Sequence, residues 1–324
     1  MITRRAALAA TAASPFAMAS AARAQAFPSK PIRFVIPFPA GGIVDVVGRS
    51  VGERMSATLG QPVVADNRPG GNTAIATDIV AKSAPDGHTW VLATVSHTVT
   101  PHLQKVEFDP IADFAGAAYL GNVPSIAVVP ASSPFKTMAE LIARAKAAPG
   151  KLTYLSPGAG TSINLNMELV KLRTGADIAG VPYRGLPPGV PDLLEGRLDL
   201  ALLAPVLATP HIRAGKLRAL AVAGVHRHKD APDVPTFAEA GLADSVVESW
   251  YAILVPARTP ADVVARIHAA ANEALKDPEV LKRLDSAGLV PPAAPVPSAA
   301  VDALLRRDLA VYADLVKRAG IKAQ

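Results

Sequence analysis

Apolar residues along the chain fall into short runs, separated by stretches in which they recur every three or four positions. Ile32 to Phe38 is one such run, rich in β-branched residues, and reads as a buried strand. Pro39-Ala40-Gly41-Gly42 breaks it, and Val44, Val47, Val51, Met55 and Leu59 then follow at helical spacing until Gly60 stops the helix. Pro62 to Ala65 reads as a strand, Asn67 to Asn72 as a turn cluster, Thr73 to Ser83 as a helix and Thr89 to Thr94 as a third strand. The pattern restarts after about residue 123. Ile126 to Pro130 is a strand, and Thr137-Met138-Ala139-Glu140 is a capping box opening a helix that ends near Ala148. Leu152 to Leu155 is a strand, Ser156 to Ser162 a Gly-rich turn, and Asn164 to Thr174 a helix. Strands at Ile178 to Pro182, Asp199 to Leu203 and Ala219 to Ala223 alternate with helices at Val190 to Glu195 and Thr209 to Ala214. A strand at Tyr251 to Val255 precedes helices at Asp262 to Leu275, Pro278 to Ala287 and Ser298 to Ala319. Strands separated by helices imply parallel βαβ units and an α/β fold.

Composition narrows the function classes. A chain of 324 residues suits about two domains, and 50% apolar with 19% charged residues is too hydrophobic for disorder. The absence of cysteine excludes disulfides, thiolate catalysis, Fe–S clusters and Cys-ligated zinc. Aromatic residues at 5% argue against a stacking platform for single-stranded nucleic acid. The net charge of +6 falls to 30 basic against 27 acidic side chains once Arg4, Arg5 and Arg23 are set aside. No basic stripe remains, so a nucleic-acid partner is not expected.

Those three arginines belong to residues 1–26, which read as an export signal peptide. Arg4-Arg5 form its positive start, Ala6 to Ala22 its alanine-rich stretch, and Ala22-Arg23-Ala24 and Ala24-Gln25-Ala26 offer small-x-small cleavage patterns. Thr3 to Leu8 is similar to a twin-arginine signal, so twin-arginine and general secretory export both stay open. The stretch is too short and polar for the roughly 20 apolar residues of a membrane span. The mature protein is expected to be soluble and periplasmic.

Two places rhyme. Phe38-Pro39-Ala40-Gly41-Gly42 and Ser156-Pro157-Gly158-Ala159-Gly160 each join a strand to a helix start through glycines. In open α/β sheets ligands sit beyond the carboxyl ends of strands. A helix N-terminus offers unpaired N–H groups and partial positive charge to an anion. Facing across a cleft, the two turns would grip one anionic ligand without an arginine clamp. The rivals are weaker. Neither turn has the G-x-G-x-x-G spacing of a dinucleotide site or a P-loop lysine. There is no G-x-S-x-G elbow or H-E-x-x-H pair, and no cofactor or metal is expected. Ser96-His97, adjacent on an expected strand end, would point to opposite faces, so they suit ligand lining better than a nucleophile–base pair. Asp45, near its helix start, suits a cap better than catalysis.

Further motifs run through nearly the whole mature chain. They are Phe27-Pro28-Ser29-Lys30-Pro31-Ile32, Pro37 to Gly42 with Asp45, Gly60-Gln61-Pro62-Val63-Val64, Asn67-Arg68-Pro69-Gly70 and Ala84-Pro85-Asp86-Gly87. Pro149-Gly150-Lys151-Leu152, Val181-Pro182-Tyr183-Arg184-Gly185, His211 to Leu220, Pro235-Thr236 with Glu239-Ala240-Gly241, and Trp250 complete them. In this set and order the chain resembles the Bug family of periplasmic solute-binding proteins, the receptors of tripartite tricarboxylate transporters. The resemblance implies a two-domain, type II-like periplasmic binding protein fold, each domain a mainly parallel sheet flanked by helices, with the ligand cleft between them. Mapped here, the first domain is 27–122 plus 252–324 and the second 123–251. The implied ligand is a small organic carboxylate, bound without catalysis by a monomer that serves the transporter's membrane subunits.

The resemblance places one half-site on Ala40, Gly41, Gly42, Val44 and Asp45. The other is placed on Gly158, Gly160, Thr161 and Ser162, with Tyr183, Arg184 and Gly185 nearby. Ser96, His97 and Leu203 join them as candidate lining residues. Three departures stand out. Ile43-Val44 replace the family's Ser-Thr, Ala201-Leu202-Leu203-Ala204 lacks an aspartate many members carry, and Asn164 replaces a common histidine. Ile43, Val44 and Leu203 thereby point to a ligand with a less polar tail. A receptor feeding a membrane sensor, or an exported α/β enzyme, would share these features.

Overall fold

The computed structural model describes residues 27–322 apart from Arg184, Val225 and Asp230; the export-signal reading and the Arg184 assignment lie outside the described residues. The chain builds its first lobe from β1 (Ile32–Ile36), α1 (Ile43–Leu59), β2 (Val63–Asn67), α2 (Ala74–Ala81), β3 (Thr89–Thr94), α3 (Ser96–Leu103) and β4 (Phe114–Asn122). It crosses into a second lobe of β5 (Ser125–Pro130), α4 (Met138–Ala147), β6 (Leu152–Ser156), α5 (Ser162–Thr174), β7 (Ile178–Pro182), α6 (Val190–Leu194), β8 (Ala201–Leu203), α7 (Pro205–Arg213) and β9 (Leu217–Ala223). It then returns through β10 (Trp250–Pro256) to α8 (Ala261–Ala274), α9 (Pro278–Ser286) and α10 (Ser298–Ala319). Trp250 already pairs with Asn122, so the return strand starts two residues ahead of the expected boundary.

The two sheets share one plan. The first has the order β2-β1-β3-β10-β4, parallel except for β10. In the second, the pair β7-β6 meets β8-β5-β9 through a parallel bridge between Tyr154 and Leu200, and β5 is its antiparallel member. Each lobe therefore receives its antiparallel strand from the crossing connection. In this correspondence β1 matches β6 and α1 matches α5, which places the two Gly-rich turns at equivalent points.

Sequence patterning explains most of the packing. In β1 and β3, Ile32, Phe34, Ile36, Trp90 and Leu92 turn to the α1 face, while Val35, Val91 and Ala93 turn to the α2 and α10 face. A Cβ on Gly48 would lie 2.8 Å from Ile36 Cδ1 and 3.2 Å from Leu92 Cδ2, so α1 seats directly on the sheet there. Helix α5 is buried on two sides. Its Ile163, Met167 and Val170 join the second lobe's core, whereas Leu165 joins a first-lobe core with Val99, Leu305 and Tyr312. Asn166 closes that seam by exchanging two hydrogen bonds with the Val247 backbone, at 2.7 and 3.1 Å.

Three elements differ from expectation. Strand β4 reads FAGAAYLGN; its small residues carry little β signal, and Gly116 is needed because a Cβ would meet Val301 at 2.6 Å. Residues 96–103 form helix α3 around an internal Pro101, where a strand end was expected. Helix α7 starts at Pro205, which suits a first helical position because its missing N–H needs no partner there.

Candidate functional site

The first turn delivers β1 into α1. Gly41 is left-handed (φ 82°), and Gly42 is an extended N-cap whose lack of a side chain leaves the helix start uncapped. The first N–H groups of α1 have no intrahelical partner, so they remain available to an anion. Asp45 does not face that anion. It is 4% exposed and accepts from Gly41 N–H (2.9 Å), Arg49 Nε (2.8 Å) and Asn67 Nδ2 (2.8 Å). Burial alone would raise its carboxyl, but the bonds from Arg49, Gly41 and Asn67 outweigh this and hold it below the usual aspartate range. Asp45 is thus a brace for the turn, and the Gly41 amide is already engaged.

The second turn repeats the construction. Gly160 is left-handed (φ 73°), Thr161 is an extended N-cap, and Gly160 N–H donates to Asn164 Oδ1 at 3.1 Å. In both turns a glycine N–H bonds the side chain four residues on. Asn164, buried, also donates to Tyr154 Oη at 3.1 Å, so it belongs to the turn's frame. Thr161 Oγ1 accepts from Asn164 N–H and donates to Gly158 O at 2.8 Å, fixing the loop. Ser162 opens α5 half-buried, and a Cβ at Gly158 (φ 128°) would meet open space.

Packing brings the second turn onto the first lobe. A Cβ on Gly160 would lie 2.7 Å from Leu103 Cδ1, 3.0 Å from Asn72 Nδ2 and 3.0 Å from Val99 Cγ1. Ser96 Oγ donates to Gly160 O at 3.4 Å. These partners follow β2 and β3, and β1 lies between those strands, so the Ala40–Gly42 turn emerges from the same carboxyl edge. Tyr183 N–H donates to Ser156 O at 2.9 Å, which sets Tyr183 and Gly185 beside the second turn; the Tyr183 hydroxyl itself is engaged by Asp192.

Several expected lining residues point elsewhere. Val44 is 8% exposed within the α1 core, and Ile43 packs against the same cluster. Leu203 is fully buried in the second core. The apolar-tail expectation therefore loses its side chains: Val44 turns to the sheet, Leu203 faces its lobe's core, and Ile43 is half-buried against the α1 cluster. His97 also leaves the site. It lies between Phe108 and Phe114, with Nε2 2.9 Å from Pro110 O. Burial, against a weaker opposing pull from the Pro110 carbonyl, pushes its imidazole down to about 4. Between about 6.5 and 4 the unfolded chain takes up a proton that the folded one refuses, so stability falls with acidification across that window by about 3 kcal/mol. Denaturant titrations at neutral pH and near pH 4.5 should show this slope, flattened in His97→Gln; equal slopes would refute it.

One segment was read only as the end of a turn cluster and the first residue of a helix. Gly70, Gly71, Asn72 and Thr73 all have positive φ (123°, 55°, 49° and 77°), and Asn72 meets Gly160 across the lobes. Left-handed backbone is unusual for the β-branched Thr73, and such strain concentrates at functional sites. Its signal in the sequence is the Pro-Gly-Gly-Asn run. Among the described residues no group of His, Asp and Glu side chains is placed to hold a metal, and no helix is long and apolar enough to cross a membrane.

Comparison with known proteins gives a consistent picture. A family model described as the tripartite tricarboxylate transporter family receptor matches residues 47–304. A "UPF0065 protein in tcbD-tcbE intergenic region" of Pseudomonas sp. (strain P51) is 40% identical over 271 residues, covering 83% of this chain and 81% of the relative. The structure of R. palustris Rpa4515 with adipate is 31% identical with a TM-score of 0.80, covering 91% of this chain and 99% of the other. That of MatC (Rpa3494) from Rhodopseudomonas palustris with bound malate is 30% identical with a TM-score of 0.78, covering 90% and 100%.

Proposed function

Because this chain belongs to the tripartite tricarboxylate transporter receptor family, we propose that it is a periplasmic receptor that captures a small organic carboxylate between its lobes and does no chemistry on it. The observation carrying this reading is the repeated turn: two braced glycine corners, each opening a helix, at the carboxyl edges of equivalent strands. Residues 27–122 with the return strand and C-terminal helices supply one half-site, and the segment from about 123 to the return supplies the other. The proposed contacts are the backbone of Gly42 to Val44, Gly158, Thr161 and Ser162, with the Tyr183–Gly185 loop beside them. Hydrogen bonds to a charged group contribute about 1.5–3 kcal/mol each, so three or four amides supply roughly 4.5–12 kcal/mol before association costs, a large share of what a micromolar complex needs.

With Ile43, Val44 and Leu203 turned inward, nothing in these side chains disfavours a second polar end. Rpa4515 and MatC carry adipate and malate, both dicarboxylates. The family description supports the membrane subunits of a tripartite transporter as the partner, ahead of a sensor, with residues 1–26 directing export. A thermal-shift panel of the mature protein with adipate, malate, citrate and benzoate tests the ligand class. Ligand at a hundred times its Kd adds about 2.7 kcal/mol, a shift of about 5–10 °C. No shift with any acid, or turnover of the acid that binds, sinks the reading.

A further inference from the structure

A hydroxyl at the end of β3 has no partner among the described residues. Thr94 is 8% exposed, and its Oγ1 finds no hydrogen-bond partner among the described residues. Leaving a buried hydroxyl unpaired is costly, so such a group calls for an explanation.

Register shows what lies over it. Alternation along β3 puts Thr94 on the same face as Trp90 and Leu92, the face covered by α1. The β1–β3 pairing, Arg33 with Thr89 to Val35 with Val91, puts the carboxyl end of β3 beside the segment that leaves β1 at Ile36 and leads into the Ala40–Gly42 turn. Gly52 of α1 rests on Phe34, and Gly48 rests on Ile36 and Leu92. Four helical residues thus match two strand residues, about 6 Å in each case. One step further back along α1 is Val44, in the uncapped first turn, which shares the buried cluster of Leu92 at the same end of the sheet. Across the sheet, Tyr251 pairs with Thr94 and is itself buried.

We propose that the Thr94 hydroxyl is a ligand-seating donor, bonding a carboxylate oxygen of the solute held by the first turn of α1. The ligand supplies the acceptor that the folded chain lacks. A single O–H beside the amides distinguishes a carboxylate, which has a second oxygen to offer, from a solute with one acceptor. The inference rests on the carboxylate reading above.

The test uses the full mature chain, Thr94→Val, Thr94→Ser, and adipate, malate and benzoate as probes. Removing an orphaned hydroxyl while keeping the side-chain shape should raise the ligand-free Tm by about 2–4 °C. The same change should weaken the acid that wild type binds by about tenfold to a hundredfold in calorimetry. Thr94→Ser should stay within a few-fold of wild type. These opposite signs are what a purely structural threonine does not give. Wild-type binding of a probe with an unchanged Kd in Thr94→Val overturns the seating role alone. A ligand-free Tm that falls in Thr94→Val shows that the hydroxyl was satisfied in the folded chain, and overturns it too. A wild type that takes none of the three acids overturns the carboxylate reading and this inference together.

Discussion

Gly160→Ala is expected to lower the ligand-free Tm by several degrees and weaken carboxylate binding by more than tenfold. Two effects add. The residue is left-handed at φ 73°, where a side chain costs about 1–2 kcal/mol. Its Cβ would also stand 2.7 Å from Leu103 Cδ1, with Asn72 and Val99 at 3.0 Å, so the turn must retreat from α3 and carry the α5 start with it. Gly158→Ala separates the two effects, because Gly158 is also left-handed (φ 128°) but nothing lies within 4 Å of its Cβ position. It should show backbone strain without the lobe-to-lobe clash. Thermal melts and calorimetric titrations of both variants decide the matter. Equal losses would mean that close packing against Asn72, Val99 and Leu103 has no part in binding. Leu103→Ala should partly restore Gly160→Ala if the clash is the cause.

Asp45→Ala is the second large effect. It strips an acceptor from Gly41 N–H, Arg49 and Asn67 at once, in a site where Asp45 is 4% exposed. Removing one partner from such a bonded, buried group costs about 2–4 kcal/mol, a Tm loss of about 5–15 °C in a chain of this kind. Binding should fall as well, because the turn that opens α1 loses its brace. Asp45→Asn keeps an acceptor for Gly41 and should lose less of both. The depressed carboxyl adds a pH signature. Its contribution is fully present above the ordinary aspartate pKa and is lost only as pH falls through the lower folded value. Melts of Asp45→Ala that match wild type would count against the brace.

The sequence revealed the regular parts of this molecule and hid the parts that depend on direction. Periodicity located α1, α8, α9 and α10 within a residue or two, because each has a continuous apolar stripe. Half of the capping box before α4 appears as expected, with Glu140 N–H bonded to Thr137 Oγ1 at 3.2 Å, while the Glu140 carboxylate accepts from Lys136 N–H at 2.6 Å in place of Thr137. Strand β4 stayed hidden because alanine and glycine give no strand signal, and α3 because its threonines and Pro101 mimic a strand end. The same limit applies to the site. Glycines marked the two corners, but only coordinates show that Asp45 bends back to Gly41, that His97 turns between two phenylalanines, and that Leu203 faces a core. Thr94 was equally unreadable, since an unpaired hydroxyl depends on neighbours distant in the chain.

Helix α5 belongs to two interiors at once, with Ile163, Met167 and Val170 in one and Leu165 in the other. Sliding it along or away from either lobe would bring at least one of these side chains into water, at about 1.5–3 kcal/mol apiece. The helix is therefore pinned from both sides, and the glycine corner at its Thr161 end is held in place with it.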